Sequence, residues 1–193
     1  MRILRTVNER SVKWLLSIFV AGTLCARSQP KEIVILRHAE EPSGNSIHLS
    51  AKGQKRARAL ADFFQTNTVV TQFGPPVALF APRPKAGGSR RSVETLIPTS
   101  ESLGQPIRQP FAQEQYAALA RKILTTSAFK GKTVVIVWTH SYINDLAAAL
   151  GVHPKPGDWK SRTYDRAWVI LRSQGRMTLK DIPQRLLPGD SKR

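Results

Sequence analysis

The 193-residue sequence predicts an α/β protein: a mainly parallel sheet flanked by helices, with a C-terminal hairpin. Three observations carry this expectation. Short apolar runs rich in β-branched residues alternate with amphipathic segments of helical period, the pattern of a helix-covered parallel sheet. The two clearest runs, "EIVILRH" and "KTVVIVWTH", are continuously apolar, as strands buried on both faces are, and each ends in a histidine. The last stretch changes character: "RAWVILRSQGRMTLKDI" reads as two strands around Gln174-Gly175.

In chain order, residues 1–28 read as a secretory signal peptide. "MRILRTVNERSVK" is basic, "WLLSIFVAGTLCA" is apolar and "ARSQP" supplies small residues, with cleavage expected near Ser28. The apolar run from Trp14 to Ala26 is short for a membrane span, so an uncleaved anchor is the runner-up. Residues 29–193 then form a single domain, periplasmic or secreted. Cys25 is the only cysteine, so a mature chain would hold no disulfide and no thiolate chemistry.

After the strand "EIVILRH", Leu49–Gln65 reads as a helix capped by Ser50. Ala57, Leu60, Ala61 and Phe64 lie on one face, and Lys52, Lys55, Arg56 and Arg58 largely elsewhere. "PVALFAP" is a second strand. "RRSVETLIPTSESLG" is a helix expected to break near Pro98 and stop at Gly104. "PIRQPF" reads as a short strand, "QEQYAALARKIL" as a helix, "KTVVIVWTH" as a strand and "INDLAAALG" as a helix stopped by Gly151.

The chain has 30 Lys and Arg against 13 Asp and Glu, a formal charge of +17, which favours anionic partners. Phosphorylated small molecules, phosphorylated glycans and an anionic membrane surface all fit. A nucleic-acid module does not, because neither interleaved aromatics nor a recognised fold signature is present. The "KGQKRAR" charges read as a solvated helix face.

Parallel sheets place ligands at the carboxyl ends of their strands. Arg37-His38 and Thr139-His140 stand at two such ends. A neutral imidazole is a competent nucleophile toward phosphorus when its other nitrogen is held by a hydrogen bond. Arginine suits the anionic oxygens of a transferring phosphoryl group because its planar fork matches them. A metal set of His38, Glu40, Glu41 and His140 lacks the helical H-E-x-x-H spacing, so no metal is expected. His48 and His153 read as solvated loop residues.

In four places the sequence resembles the histidine phosphatase superfamily, which includes the phosphoglycerate mutases. The Arg-His-Gly signature after the first strand stands here as Arg37-His38-Ala39. The "LTxxGxxQA" helix start stands as "LSAKGQKRA". The "RAxxTA" segment stands as "RSVETL", Arg91 to Leu96, and the late-strand histidine as "VVIVWTHS". Order and spacing agree over roughly residues 31 to 182.

The resemblance implies that His38 is the nucleophile and that Arg37, Arg91 and His140 form the phosphate pocket, with Arg90 and Arg83 as rivals of Arg91. Asn45 matches a phosphate-contacting asparagine, and Glu114 the general acid, with Glu40 as its rival. No cofactor is implied. The expected activity is that of an exported phosphatase, hydrolysing a phosphomonoester or phosphoramidate through a phosphohistidine on His38. A chain this short has no room for a large lid. The alternative is a non-catalytic phosphate-binding module for an acidic glycan, lipid or phosphoprotein, consistent with Ala39 in place of glycine and "THS" in place of "GHG".

Overall fold

The structure, a computed structural model, describes residues 29–44 and 46–192. The expected leader (1–28) and Asn45 lie outside the described residues. Within them a six-stranded sheet has the order β3-β2-β4-β1-β5-β6. The strands are β1 (Glu32–Arg37), β2 (Ala78–Phe80), β3 (Ile107–Arg108), β4 (Thr133–Trp138), β5 (Arg166–Ser173) and β6 (Arg176–Pro183). The first four run parallel to one another, and β5 and β6 add an antiparallel hairpin to the free side of β1.

Every residue of β1 and β4 is buried, which explains their unbroken apolar sequences. On one face Ile33, Ile35, Val134, Ile136 and Trp138 pack with Leu119, Ile123, Ile143 and Leu146 of α3 (Tyr116–Thr125) and α4 (His140–Ala149). On the other, Val34, Leu36, Val135 and Val137 pack with Leu60, Phe63, Phe64 and Leu96 of α1 (Ala51–Thr66) and α2 (Arg91–Leu103). Burying each such side chain fully is worth about 1.5–3 kcal/mol, so this three-layer core is the main source of stability. The expected mainly parallel α/β architecture is what the chain adopts.

The local signals mostly act as read. Ser50 caps α1, its hydroxyl accepting from the Gly53 amide at 3.1 Å. Gly104, at φ 62°, ends α2 in the left-handed region. Gln174 (φ 48°) and Gly175 (φ 79°) both take positive φ, the twist a two-residue hairpin turn requires. One expectation fails: α2 does not break at Pro98 but runs through it. The proline removes only the bond to the Glu94 carbonyl, and the buried face of Ser92, Thr95, Leu96 and Thr99 holds the helix against the sheet.

A second correction concerns Arg56, read as part of the solvated face of α1. Its side chain is buried, at 1% exposure. The guanidinium donates to both Glu40 oxygens, at 3.0 and 2.8 Å, and to both Asp190 oxygens, at 2.9 and 2.7 Å. It also reaches Gln184 Oε1 at 3.0 Å. The segment after β6 brings Gln184 and Asp190 over this turn of α1, which no helical periodicity could reveal.

The same region fastens the loop after β1. The Glu40 carbonyl accepts from the amide and hydroxyl of Ser50, and it approaches Gly53 so closely that a Cβ there would stand 2.3 Å from it. That approach requires the glycine in "AKGQ".

Burial works against the Asp190 charge, but hydrogen bonds from Arg56 and from the Leu187 and Leu186 amides overcome it and hold its pKa at about 2. The resulting stability is present above the unfolded-state value of 3.8 and is lost as the pH falls through about 2. Arg56→Met leaves two carboxylates without their buried partner. It should cost about 3–5 kcal/mol in denaturant unfolding at neutral pH. A loss below 1 kcal/mol would show that solvent replaces the guanidinium.

Candidate active site

The parallel register aligns Arg37 with Trp138 at the carboxyl ends of β1 and β4. His38 follows one strand, and Thr139-His140 the other, where His140 opens α4. The N-terminal turn of α2 brings Arg91 to the same edge. It is tied to β1 through Thr95, whose hydroxyl accepts from the Ala39 amide at 2.9 Å and donates to the Arg91 carbonyl at 2.7 Å. Tyr164 enters from the loop before β5, its ring centroid 6.0 Å from that of His38.

His38 is buried, and its Nδ1 lies 2.8 Å from the Ala39 carbonyl. A carbonyl only accepts, so Nδ1 carries the hydrogen and Nε2 keeps a free lone pair. Burial lowers the pKa of His38 to about 4 despite this bond, and Arg37, Arg91 and His140 add to the lowering. The ring is therefore neutral at neutral pH. His140 is half-buried, and its pKa is lowered by burial and then by the same two arginines.

The Arg37 guanidinium is buried against the Tyr164 ring, 4.2 Å from its centroid. Nη2 donates to Glu41 Oε1 at 3.1 Å and to the Tyr164 hydroxyl at 3.2 Å. Nε and Nη1 are buried and have no hydrogen-bond partner among the described residues. Buried donors are rarely left so, and an anion is the natural acceptor for a guanidinium. Arg91 donates from Nε to Ser89 Oγ at 2.9 Å and from Nη1 to Glu41 Oε2. Of the rivals, Arg83 is exposed and reaches only the Pro110 carbonyl at 3.4 Å, and Arg90 is an exposed residue at the start of α2.

The structure thus brings His38, His140, Arg37 and Arg91 together. It does not add either carboxylate named from the sequence. Glu40 is committed to Arg56: burial opposes its charge, but the Arg56 hydrogen bonds lower its pKa, and both its oxygens are taken by the guanidinium. Glu114 is exposed in a short 3-10 turn (Gln113–Gln115) and pairs with Lys85 at 3.2 Å. A backbone hydrogen bond and then Lys85 lower its pKa.

Two site residues were not singled out for these roles by sequence. Glu41 figures there only as a candidate metal ligand, and Tyr164 reaches Arg37 across 127 positions, where no local pattern could place it. The four-residue metal set does not assemble: Glu40 points to Arg56 and Glu41 to the arginines. Among the described residues no three His, Cys, Asp or Glu side chains gather as a ligand set. Beside Ser89, the partner of Arg91, opens a 170 Å³ pocket whose lining includes Arg83, Lys85, Ser92, Gln113 and Thr139. The buried Thr139 hydroxyl has no partner there among the described residues.

The His38 imidazole should stay neutral, with hydrogen on Nδ1, as the pH falls from 7 toward about 4. Because its folded value lies below the ordinary 6.5, the unfolded chain binds the proton first, and stability declines as the pH drops from 6.5 to about 4. Nitrogen-detected NMR across this range reads both the tautomer and the midpoint. A midpoint near 6.5 would mean that the ring is solvated.

No protein-family model matches the chain, and no curated protein matches it. Solved structures do. A mycobacterial glucosyl-3-phosphoglycerate phosphatase aligns over 79% of this chain and 97% of its own, at 15% identity and a TM-score of 0.52. The Bacillus stearothermophilus protein YhfR aligns over 77% and 94%, at 16% identity and a TM-score of 0.52. Phosphoserine phosphatase from Entamoeba histolytica, in complex with 3-phosphoglyceric acid, aligns over 81% and 99%, at 13% identity and a TM-score of 0.53. In its strand order and flanking helices the chain has the phosphoglycerate mutase-like α/β fold that these structures share.

Proposed function

We propose that the protein is a phosphatase that hydrolyses a phosphomonoester or phosphoramidate through a phosphohistidine on His38. One observation carries this reading: a buried, neutral histidine with its Nε2 lone pair free beside a buried arginine with unpartnered donors. The fold shared with a glucosyl-3-phosphoglycerate phosphatase and a phosphoserine phosphatase supports it, and it favours a phosphorylated small molecule as substrate.

The lone pair on Nε2 attacks phosphorus, forming the P–N bond as the bond to the leaving oxygen or nitrogen breaks. Arg37, Arg91 and His140 hold the oxygens on which charge sits during transfer. A water then attacks phosphorus, the P–N bond breaks, and inorganic phosphate and neutral His38 are regenerated. No step calls on a metal.

The 170 Å³ pocket offers the leaving group a small site of mixed character, with Pro82 and Pro84 beside its polar residues. Glu114 is the proposed donor of the proton to that group. Its neighbour Gln113 and its partner Lys85 line the pocket with Thr139, the residue before His140. The basic, apolar and small-residue order of residues 1–28 supports export to the periplasm or outside the cell. There a phosphorylated glycan is a fitting substrate, and the chain's positive charge suits an anionic membrane surface.

Acid quenching of the protein with a labelled phosphosubstrate should trap an acid-labile, base-stable phosphate that His38→Ala abolishes. Turnover should continue in chelator, and Arg91→Ala should slow it by about 10²–10³-fold, the scale of losing one transition-state donor. Tight binding without any label would instead make the chain a phosphate-binding module. If Glu114 donates the proton, Glu114→Gln should slow alkyl phosphates far more than aryl phosphates. Equal slowing of both would remove it from that role.

A further inference from the structure

The arginines assigned to phosphate already hold an anion, the carboxylate of Glu41. Its Oε1 accepts from Arg37 Nη2 at 3.1 Å and from the Tyr164 hydroxyl at 3.0 Å, and its Oε2 accepts from Arg91 Nη1. Tyr164 in turn accepts from Arg37 Nη2 at 3.2 Å. Both hydrogens of that terminal nitrogen are therefore committed.

Guanidinium geometry makes this commitment decisive. A planar guanidinium offers an anion two paired edges, Nε with Nη2 and Nη1 with Nη2. Nη2 belongs to both. The unpartnered donors, Nε and Nη1, lie on different edges and cannot grip one anion as a pair. A phosphoryl group that takes two bonds from Arg37 must take one of them from Glu41 or Tyr164. It must also approach Arg91, whose Nη1 Glu41 holds as well.

Glu41 has the freedom to yield. It lies in the irregular segment between β1 and α1, and its side chain keeps 31% of its exposure. The other groups around it are Arg37, Arg91 and Tyr164, with His38 and His140 beyond; Glu94 also acts on Arg91, but its two oxygens are held by His48 and the Leu49 amide.

Resting on the phosphate-pocket reading above, we infer that Glu41 is a specificity-determining residue, the pocket's internal competitor, which yields to a phosphomonoester dianion and excludes singly charged anions. A carboxylate or a phosphodiester brings one negative charge, as Glu41 does. Glu41, tethered within the chain, is present at a far higher effective concentration than either. A monoester dianion brings two charges and three terminal oxygens, enough for Arg37, Arg91 and His140 at once. The ligand, not the chain, must supply the excess charge that moves Glu41 aside.

The test is calorimetric titration of the whole chain at pH 8 with inorganic phosphate, a dianion there, and with dimethyl phosphate, a tetrahedral monoanion that cannot turn over. The wild type should bind phosphate and show no measurable dimethyl phosphate binding, and acetate should not displace phosphate. Glu41→Gln and Glu41→Ala, each checked for an unchanged thermal midpoint, should bind phosphate about tenfold more tightly, the scale of one charged hydrogen bond recovered. Both should bring dimethyl phosphate into measurable range.

Equal or weaker phosphate binding in the variants overturns the inference, as does displacement of phosphate by acetate from the wild type. That failure is separable from failure of the pocket itself. If Arg37→Ala abolishes phosphate binding while residue 41 has no influence, only the role of Glu41 falls. If no form binds phosphate, or Arg37→Ala binds it unchanged, the phosphate pocket falls too.

Discussion

Six consecutive parallel pairs, from Glu32 with Thr133 to Arg37 with Trp138, set side by side two segments that lie 101 positions apart in sequence. Everything proposed for the site descends from that register. A slip of one residue would turn each apolar side chain of β1 to the opposite layer, exchanging Ile33 and Ile35 for Val34 and Leu36. The two helical layers forbid the exchange because each is packed against its own set. Core packing, which knows nothing of phosphate, thereby sets His38 beside Thr139-His140 at one edge of the sheet. The chemistry borrows a geometry that burial has already made stable.

Charge in the site is arranged with the same economy. The arginines that would receive a phosphoryl group also disfavour a proton on His38 and His140, so one pair of cations would serve both the proposed substrate and the proposed nucleophile. Burial of His38 acts in the same direction and is the larger cause. An ordinary solvated histidine would be partly protonated in mildly acidic surroundings and would lose its lone pair. The cost is a group of buried cations, which Glu41 and Tyr164 meet with a carboxylate and an aromatic face.

How much of this was legible in the sequence depends on the range of each signal. Strands β1 and β4, the cap at Ser50, the stop at Gly104 and the Gln174-Gly175 turn are encoded within a few residues, and they stand where the pattern put them. The strand-end histidines were legible because a charged cluster has no reason to follow a core strand. Arg56, Glu40 and Tyr164 were not. Arg56 meets Gln184 and Asp190 more than a hundred positions later, Tyr164 reaches back as far to Arg37, and Glu40 turns to Arg56 across an irregular loop; helical period can only mark Arg56 as off the apolar face. Pro98 misled for the opposite reason, since its local penalty is real but smaller than the packing that α2 gains on the sheet.

The knot of Arg56, Glu40 and Asp190 bears on how the molecule comes into being. A ribosome delivers the chain from its amino end, so His38 emerges before β4, and β4 before β5, the antiparallel neighbour of β1. Asp190, which helps hold Arg56 against the residue two places after His38, emerges only after β5 and β6. Until then a buried cation lacks half its counter-charge. The nascent protein can acquire its sheet in stages, but the loop that follows His38 is not fully fastened until synthesis has passed Asp190. A partly made chain would carry His38 without the finished frame around its loop.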